Sequence, residues 1–114
     1  LVDLKTTVDA SPEAFAKSIV NYGYHRQAAW YLQGWRSVTG LHSDFVFLVV
    51  EKQPPHGIAC YTLDEAALAE GWFQCRNILA KYRAFLSEPE EARNAGYPTD
   101  IQELTLPRWA FTYY

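Results

Sequence analysis

The sequence holds no methionine, two cysteines and three histidines in 114 residues. The missing methionine leads us to expect that Leu1 is not the natural start of translation. Cys60 and Cys75 form no CxxC pair, and nothing places them in a secretory context. Two reduced, largely buried thiols are therefore expected. His25, His42 and His56 share no metal-ligand spacing. The longest apolar run, Phe45 to Val50, is far too short to span a bilayer. No signal-peptide pattern is present, so a cytoplasmic protein with no membrane partner is expected. Internal repeats and low-complexity tracts are also lacking.

There is no excess of positive charge either. The formal net charge is −3, which by itself argues against a nucleic-acid binder. Its distribution softens that objection, because Glu88 to Glu103 contains five acids and one base while residues 1–83 carry eight of each. A protein that grips DNA through bound metal ions can also be locally acidic, since the metal supplies the positive charge.

What is present is the composition of one folded domain: 49% hydrophobic, 20% charged, and rich in Trp, Tyr and Phe. That balance excludes disorder and is enough to bury a core. Val2, Leu4 and Thr6 alternate with Asp3, Lys5 and Thr7, predicting a strand over residues 1–7. A helix start follows at Asp9-Ala10-Ser11-Pro12-Glu13, with Ser11 as cap and Pro12 at the first helical position. Phe15, Ile19 and Tyr22 then form an apolar stripe. Gly23 predicts a break within Asn21-Tyr22-Gly23-Tyr24. The helix resumes over His25 to Leu32, with Tyr24, Ala28 and Leu32 as its buried row. Gln27 and Tyr31 share the neighbouring face, about 100° round the axis.

Gly34 to Ser43 reads as a loop exposing Arg36 and His42. Phe45 to Val50 predicts a strand buried on both faces. The turn Gln53-Pro54-Pro55-His56-Gly57 returns the chain along Ile58 to Tyr61 as a hairpin. Thr62 and Glu65 have capping-box spacing for a third helix. Its seam, Leu68, Trp72, Cys75, Leu79, Tyr82 and Leu86, is expected to face the core. A turn is expected at Asn94-Ala95-Gly96-Tyr97-Pro98, and a short strand at Gln102 to Leu106. Pro107 stops that strand, and Trp109 is expected to pack back on the body. The order β-α-β-β-α-(β) predicts an α/β (α+β) fold, a mixed central sheet flanked by helices.

Two spacings carry chemistry. Asp3 and Lys5 share one face of the strand, and Gln27 and Tyr31 share one face of the helix. Metal-assisted phosphodiester hydrolysis needs carboxylates for a divalent ion, a group that polarises water, and neutralisation of the phosphate. Asp3 can supply a ligand oxygen, and the Leu4 carbonyl a second. Lys5 can orient the water or stabilise developing charge. Thr6 and Thr7 can hydrogen-bond a phosphate, while Gln27 and the Tyr31 hydroxyl can hold substrate or water. A D-x-K triplet alone is common; its occurrence with Gln27 and Tyr31, in strand-then-helix order, is less so.

Val2-Asp3-Leu4-Lys5-Thr6-Thr7 resembles the D-(I/L/Y)-K-T motif of the PD-(D/E)XK nucleases, in the branch of RecB and exodeoxyribonuclease VIII. Gln27-Ala28-Ala29-Trp30-Tyr31 matches that branch's Q-x-x-x-Y motif. The stretch from Phe15 to Gly34 and the closing Leu106-Pro107-Arg108-Trp109-Ala110 look like the RecE-type proteins of prophages, so the resemblance covers essentially the whole chain. It implies a restriction-endonuclease-like core and a Mg²⁺-dependent exonuclease, with Mn²⁺ as a possible substitute, degrading linear double-stranded DNA 5′ to 3′ in recombination. It further implies a ring-shaped homo-oligomer and a single-strand annealing recombinase as partner. Asp3 and Lys5 carry over as metal ligand and catalytic lysine, and Gln27 and Tyr31 as the helix motif.

The departure is one of number. The family places a further metal-binding acid before the D-x-K strand, and this sequence starts at that strand. Neither Asp44 nor Glu51 is assigned to that role. We therefore expect a single partial nuclease domain over residues 1–114, lacking the N-terminal part of its core and inactive alone. Trp35 and Trp72 are expected to be exposed, and the uncovered sheet to drive self-association. The alternative is a non-catalytic DNA-binding or assembly module derived from such a nuclease.

Overall fold

A computed structural model describes residues 1–93 and 96–112. The element order is β1 (Val2–Thr7), α1 (Pro12–Tyr22), α2 (Tyr24–Thr39), β2 (Val46–Glu51), β3 (Ile58–Tyr61) and α3 (Glu65–Ser87), followed by two short 3-10 helices. Backbone contacts divide the chain into Leu1–Lys81 and Tyr82–Tyr114.

The first unit is built on a three-stranded sheet in the order β1-β2-β3. β1 and β2 are parallel, with Asp3 opposite Phe47 and Lys5 opposite Val49, joined by the α1–α2 crossover. β2 and β3 form the predicted antiparallel hairpin, with Phe47 opposite Tyr61 and Val49 opposite Ala59. Because side chains alternate along each strand, this register puts Asp3, Lys5, Phe47, Val49, Ala59 and Tyr61 on one face. That face is the core. Phe47 and Val49 are fully buried there with Phe15, Ala28 and Phe45. Phe15 stacks on Tyr61 at 5.3 Å between centroids and meets Phe47 edge-on at 5.5 Å. Such pairs add about 0.5–1.5 kcal/mol each beyond their area.

The opposite face, Val2, Leu4, Leu48, Ile58 and Cys60, is poorly covered, with Val2 71% and Leu4 62% exposed. The expectation that β2 is buried on both faces is therefore corrected: Val46, Leu48 and Val50 are only half-buried. For the same reason Cys60 is exposed, while Cys75 is buried.

Ser11 caps α1, its hydroxyl accepting from the Ala14 N–H, and Pro12 opens the helix as predicted. Gly23 ends α1 and starts α2 at φ 68°, a left-handed conformation that costs other residues a Cβ clash. Tyr22, expected to line the core, is 70% exposed and stacks on Tyr24 across the turn at Gly23. α2 runs seven residues beyond Leu32, through the segment read as a loop. Gly34 sits in open space inside it. The termination comes instead at Gly40, at φ 72°, whose N–H donates to the Arg36 carbonyl at 2.8 Å.

α3 is capped by Asp64 rather than Thr62. The Asp64 carboxylate accepts the Ala67 N–H at 2.8 Å, the third helical position, where a cap side chain reaches. Its seam packs over the first turns only. Leu68 and Trp72 are half-buried and Cys75 buried, but Leu79, Tyr82 and Leu86 are 42–57% exposed. The crossing with α2 is close: a Cβ on Gly71 would stand 2.2 Å from the His25 carbonyl oxygen.

In the second unit Arg93 donates to the Glu88 and Leu86 carbonyls and lies over the Phe85 ring. Residues 101–106 form no strand, having no ladder partner among the described residues, and are exposed throughout. Trp109 is likewise 86% exposed rather than packed. Of the turn expected at Asn94 to Pro98, Asn94 and Ala95 lie outside the described residues.

Candidate functional site

The four residues singled out from the two motifs meet. Asp3 and Lys5 project from β1 toward the helices, and their charged ends lie 3.0 Å apart. The Lys5 ammonium donates to Gln27 Oε1 at 2.7 Å. Gln27 Nε2 in turn donates to the Tyr31 hydroxyl at 3.3 Å, one helical turn along α2. The result is a continuous polar row, Asp3–Lys5–Gln27–Tyr31, across the junction of strand and helix. Ala28, fully buried beneath α2, allows this approach, since a larger side chain would hold the helix off the sheet.

The row is sheltered without being sealed: Lys5 is 14% and Asp3 20% exposed. Asp3 Oδ2 is at ion-pair distance from Lys5 but is not aligned to receive a hydrogen bond. It is shielded from solvent and has no hydrogen-bond partner among the described residues. A carboxylate oxygen left in that condition fits a cation that completes its coordination.

The parallel ladder makes a second oxygen available. The carbonyls of Leu1 and Thr7 accept from Val46 and Lys52 of the β2 side. By alternation along the strand, the carbonyl of Leu4 therefore points away from β2, toward the edge of β1 where no strand pairs among the described residues. The Leu4 side chain takes no part, being on the outer face. Thr6 and Thr7 close the strand beyond the row. Thr7 spends its hydroxyl proton on the Asp9 carbonyl at 3.3 Å, and Thr6 is exposed.

Asp9 orders this strand-to-helix link. Its carboxylate accepts the Ser11 N–H at 2.9 Å, and this backbone bond, then the Ser11 hydroxyl, holds its carboxyl below the ordinary carboxylate value.

One participant escaped the sequence reading. Tyr24, assigned only to the core row, lies under Lys5, whose ammonium is 4.2 Å from the ring centroid. The signal was available: Tyr24, Gln27 and Tyr31 are spaced three and four apart on one helical face. Cation–π contact and the Gln27 bond together fix the lysine's position. On the other flank, Asp3 and Tyr31 line a hollow of about 450 Å³ with Trp35 and Phe45. Trp35 is 40% exposed, as expected, whereas Trp72 is half-buried beside Trp30.

The donor set stops there. Among the described residues, no three or more His, Cys, Asp or Glu side chains gather as a metal site. One carboxylate and one carbonyl make an incomplete cage for a hard divalent ion, which takes six or more oxygens.

A D-x-K strand bound through its lysine to a Q-x-x-x-Y helix, over a mixed sheet, defines a restriction-endonuclease-like domain. The chain belongs to the family described as PDDEXK-like domain of unknown function (DUF3799), whose model matches residues 1–101. Its fold is similar to the crystal structure of a "putative exonuclease" from Eubacterium rectale, with a TM-score of 0.58 and 18% identity. That alignment covers 89% of this chain and 43% of the other, so the chain spans less than half the length of that relative. No functionally curated protein matches the chain. No helix among the described residues is long and apolar enough to cross a membrane.

Proposed function

We propose that residues 1–114 form part of a divalent-metal-dependent exodeoxyribonuclease of the exodeoxyribonuclease VIII (RecE-type) branch. The observation that carries this reading is the Asp3–Lys5–Gln27–Tyr31 row, with one shielded oxygen of Asp3 lacking a hydrogen-bond partner. Asp3 and the Leu4 carbonyl would hold Mg²⁺ or Mn²⁺. When bound, such an ion supplies Lewis-acid activation of water and of the phosphate.

The chain's own groups do the rest. Lys5 presents a fixed ammonium beside Asp3, placed to orient a water and to offset charge building on a phosphoryl oxygen. Gln27 holds that ammonium in place and Tyr31 holds Gln27. Linear double-stranded DNA, digested 5′ to 3′, is the proposed substrate. A homo-oligomer working with a single-strand annealing recombinase is the proposed setting.

The test uses the parent protein with Mg²⁺ and a linear duplex. Asp3→Ala and Lys5→Ala should each lower degradation by at least about a hundredfold, with the circular dichroism spectrum unchanged. Undiminished degradation by both variants would sink the assignment. The incomplete ligand set favours a second reading, in which this segment serves only in DNA binding or assembly. Calorimetry with Mn²⁺ separates the two. Saturable binding that disappears in Asp3→Ala supports the catalytic reading, and its absence from the parent protein supports the other.

A further inference from the structure

Beyond the end of β1 lies a second hollow, about 430 Å³, which neither motif explains. Its lining includes Thr6 and Thr7 at the strand end, Ser18 and Tyr22 of α1, and Tyr24 and Lys52. Its size lies within the range of small-ligand sites. Three features give it a chemistry.

The first is Tyr22. Its helical spacing from Phe15 and Ile19 would place it on the core side, yet the ring is 70% exposed. It stacks on Tyr24, with centroids 5.5 Å apart and planes 26° apart. One face of the pair is thus supported by protein and the other is open to solvent. A supported, exposed aromatic ring is the surface on which single-stranded nucleic acids stack their bases.

The second is the polar lining. Lys52 continues β2 past Glu51, anchored through its N–H to the Thr7 carbonyl at 2.9 Å. Lys52 makes no ion pair among the described residues, so its charge is available. Ser18 of α1 stands in the same lining and adds a hydroxyl-bearing side chain. Ammonium and hydroxyl donors bind phosphate oxygens. Asp9 also lines the hollow, and its negative charge repels a phosphate brought close to it.

The third is continuity. Tyr24 is both the support of Tyr22 and the ring beneath Lys5. Tyr24 therefore borders both the Lys5 ammonium and the hollow.

We infer that the Tyr22–Tyr24–Lys52 hollow is a nucleotide subsite for single-stranded DNA, stacking a base on Tyr22 and taking its phosphate on Lys52. The inference deepens the nuclease reading and rests on it. Binding itself needs no metal. The experiment is therefore fluorescence anisotropy of the chain in EDTA, with labelled dT10 and with an abasic deoxyribose-phosphate oligomer of equal length.

The wild type should bind dT10 about tenfold more tightly than the abasic strand. Tyr22→Ala should erase that preference, and Tyr22→Trp should keep it. Lys52→Ala should weaken both strands and reduce the slope of log affinity against log salt by about 0.7. Thermal melts of the variants control for folding. Equal wild-type affinity for the two strands, no binding to either, or a Tyr22→Ala variant that keeps the preference would each overturn the subsite. The nuclease assignment fails differently, through hydrolysis by the parent protein that survives Asp3→Ala and Lys5→Ala.

Discussion

Lys5 on β1 and Gln27 on α2 are twenty-two residues apart in sequence and share a 2.7 Å hydrogen bond. That bond joins the two sequence motifs into one site. It also gives Gln27 a defined task, since an ammonium on a four-carbon stem otherwise samples many rotamers. Tyr24 restricts the lysine from below and Asp3 from one side. The helix thus acts on the strand's chemistry by limiting where one nitrogen can be.

On the nuclease reading proposed above, Gln27→Ala in the parent protein should cost about a hundredfold in degradation rate, the penalty of misplacing a reacting group by about an ångström. Gln27 is only half-buried, so stability should change little. Gel assays of linear duplex with Mg²⁺, alongside a urea melt, check both parts. A rate within twofold of wild type would show that Lys5 needs no holder.

The close crossing of α2 and α3 leads to an unusual sign for a glycine substitution. Replacing an interior helical Gly by Ala normally gains about 1 kcal/mol from helix propensity. At Gly71 the new Cβ would stand 2.2 Å from the His25 carbonyl oxygen, and 3.1 Å from the Arg26 nitrogen. Both are backbone atoms, so the helices must separate. Gly71→Ala should therefore destabilise by about 1–3 kcal/mol, as overpacking does. Chemical denaturation measures this directly, and a raised midpoint would contradict the crossing. Since His25 lies two residues before Gln27, the same variant should also weaken the hold on Lys5.

The link at Asp9 has a pH signature. Its carboxyl is held below its ordinary value of 3.8 by the Ser11 N–H and then the Ser11 hydroxyl. A depressed folded value means stability that is present above the unfolded value and lost as pH falls through the folded one. Asp9→Asn should thus be slightly less stable than wild type at neutral pH, with the gap closing below pH 3.8. The carboxylate is fully exposed, so the effect is small. Urea midpoints of both proteins across the acid range test it. A gap that widens on acidification would reverse the assignment.

Much of this was legible in the sequence because it is local. Ser11-Pro12-Glu13, Gly23 and the Pro54-Pro55-His56-Gly57 turn each encode their geometry in a few neighbouring residues. Asp3 with Lys5 and Gln27 with Tyr31 could be paired by period alone. Their union could not, because it depends on the register of β1 against β2 and on Ala28 letting α2 approach. Errors arose where a local signal competed with a tertiary one. Gly34 to Ser43 reads as a loop, but the left-handed cap that ends α2 lies at Gly40. Leu79, Tyr82 and Leu86 keep the helical period yet are 42–57% exposed, so the period alone did not secure burial. Gln102 to Leu106 has strand composition but no strand to pair with among the described residues.

The outer face of the sheet carries the last prediction. Register places Val2 and Leu4 beside Val46 and Leu48, and Leu48 beside Cys60, with Ile58 on the same face. Val2, Leu4 and Ile58 are 62–71% exposed, although strand-forming side chains of this kind ordinarily cover one another. The Leu4 carbonyl also faces the edge of β1 where no strand pairs among the described residues. An apolar face bordered by an open edge is the arrangement through which strands pair between molecules. The isolated chain should therefore self-associate as its concentration rises. Leu4→Lys should suppress this without unfolding the protein, because the outer face contributes none of the fully buried core side chains. Light scattering across a hundredfold range of concentration decides it. A wild-type monomer throughout would show that this face is tolerated in water, and an equally associated Leu4→Lys variant would move the contact elsewhere. The charge is added one residue from both Asp3 and Lys5 yet on the opposite face, so the Lys5–Gln27 bond should survive in the variant.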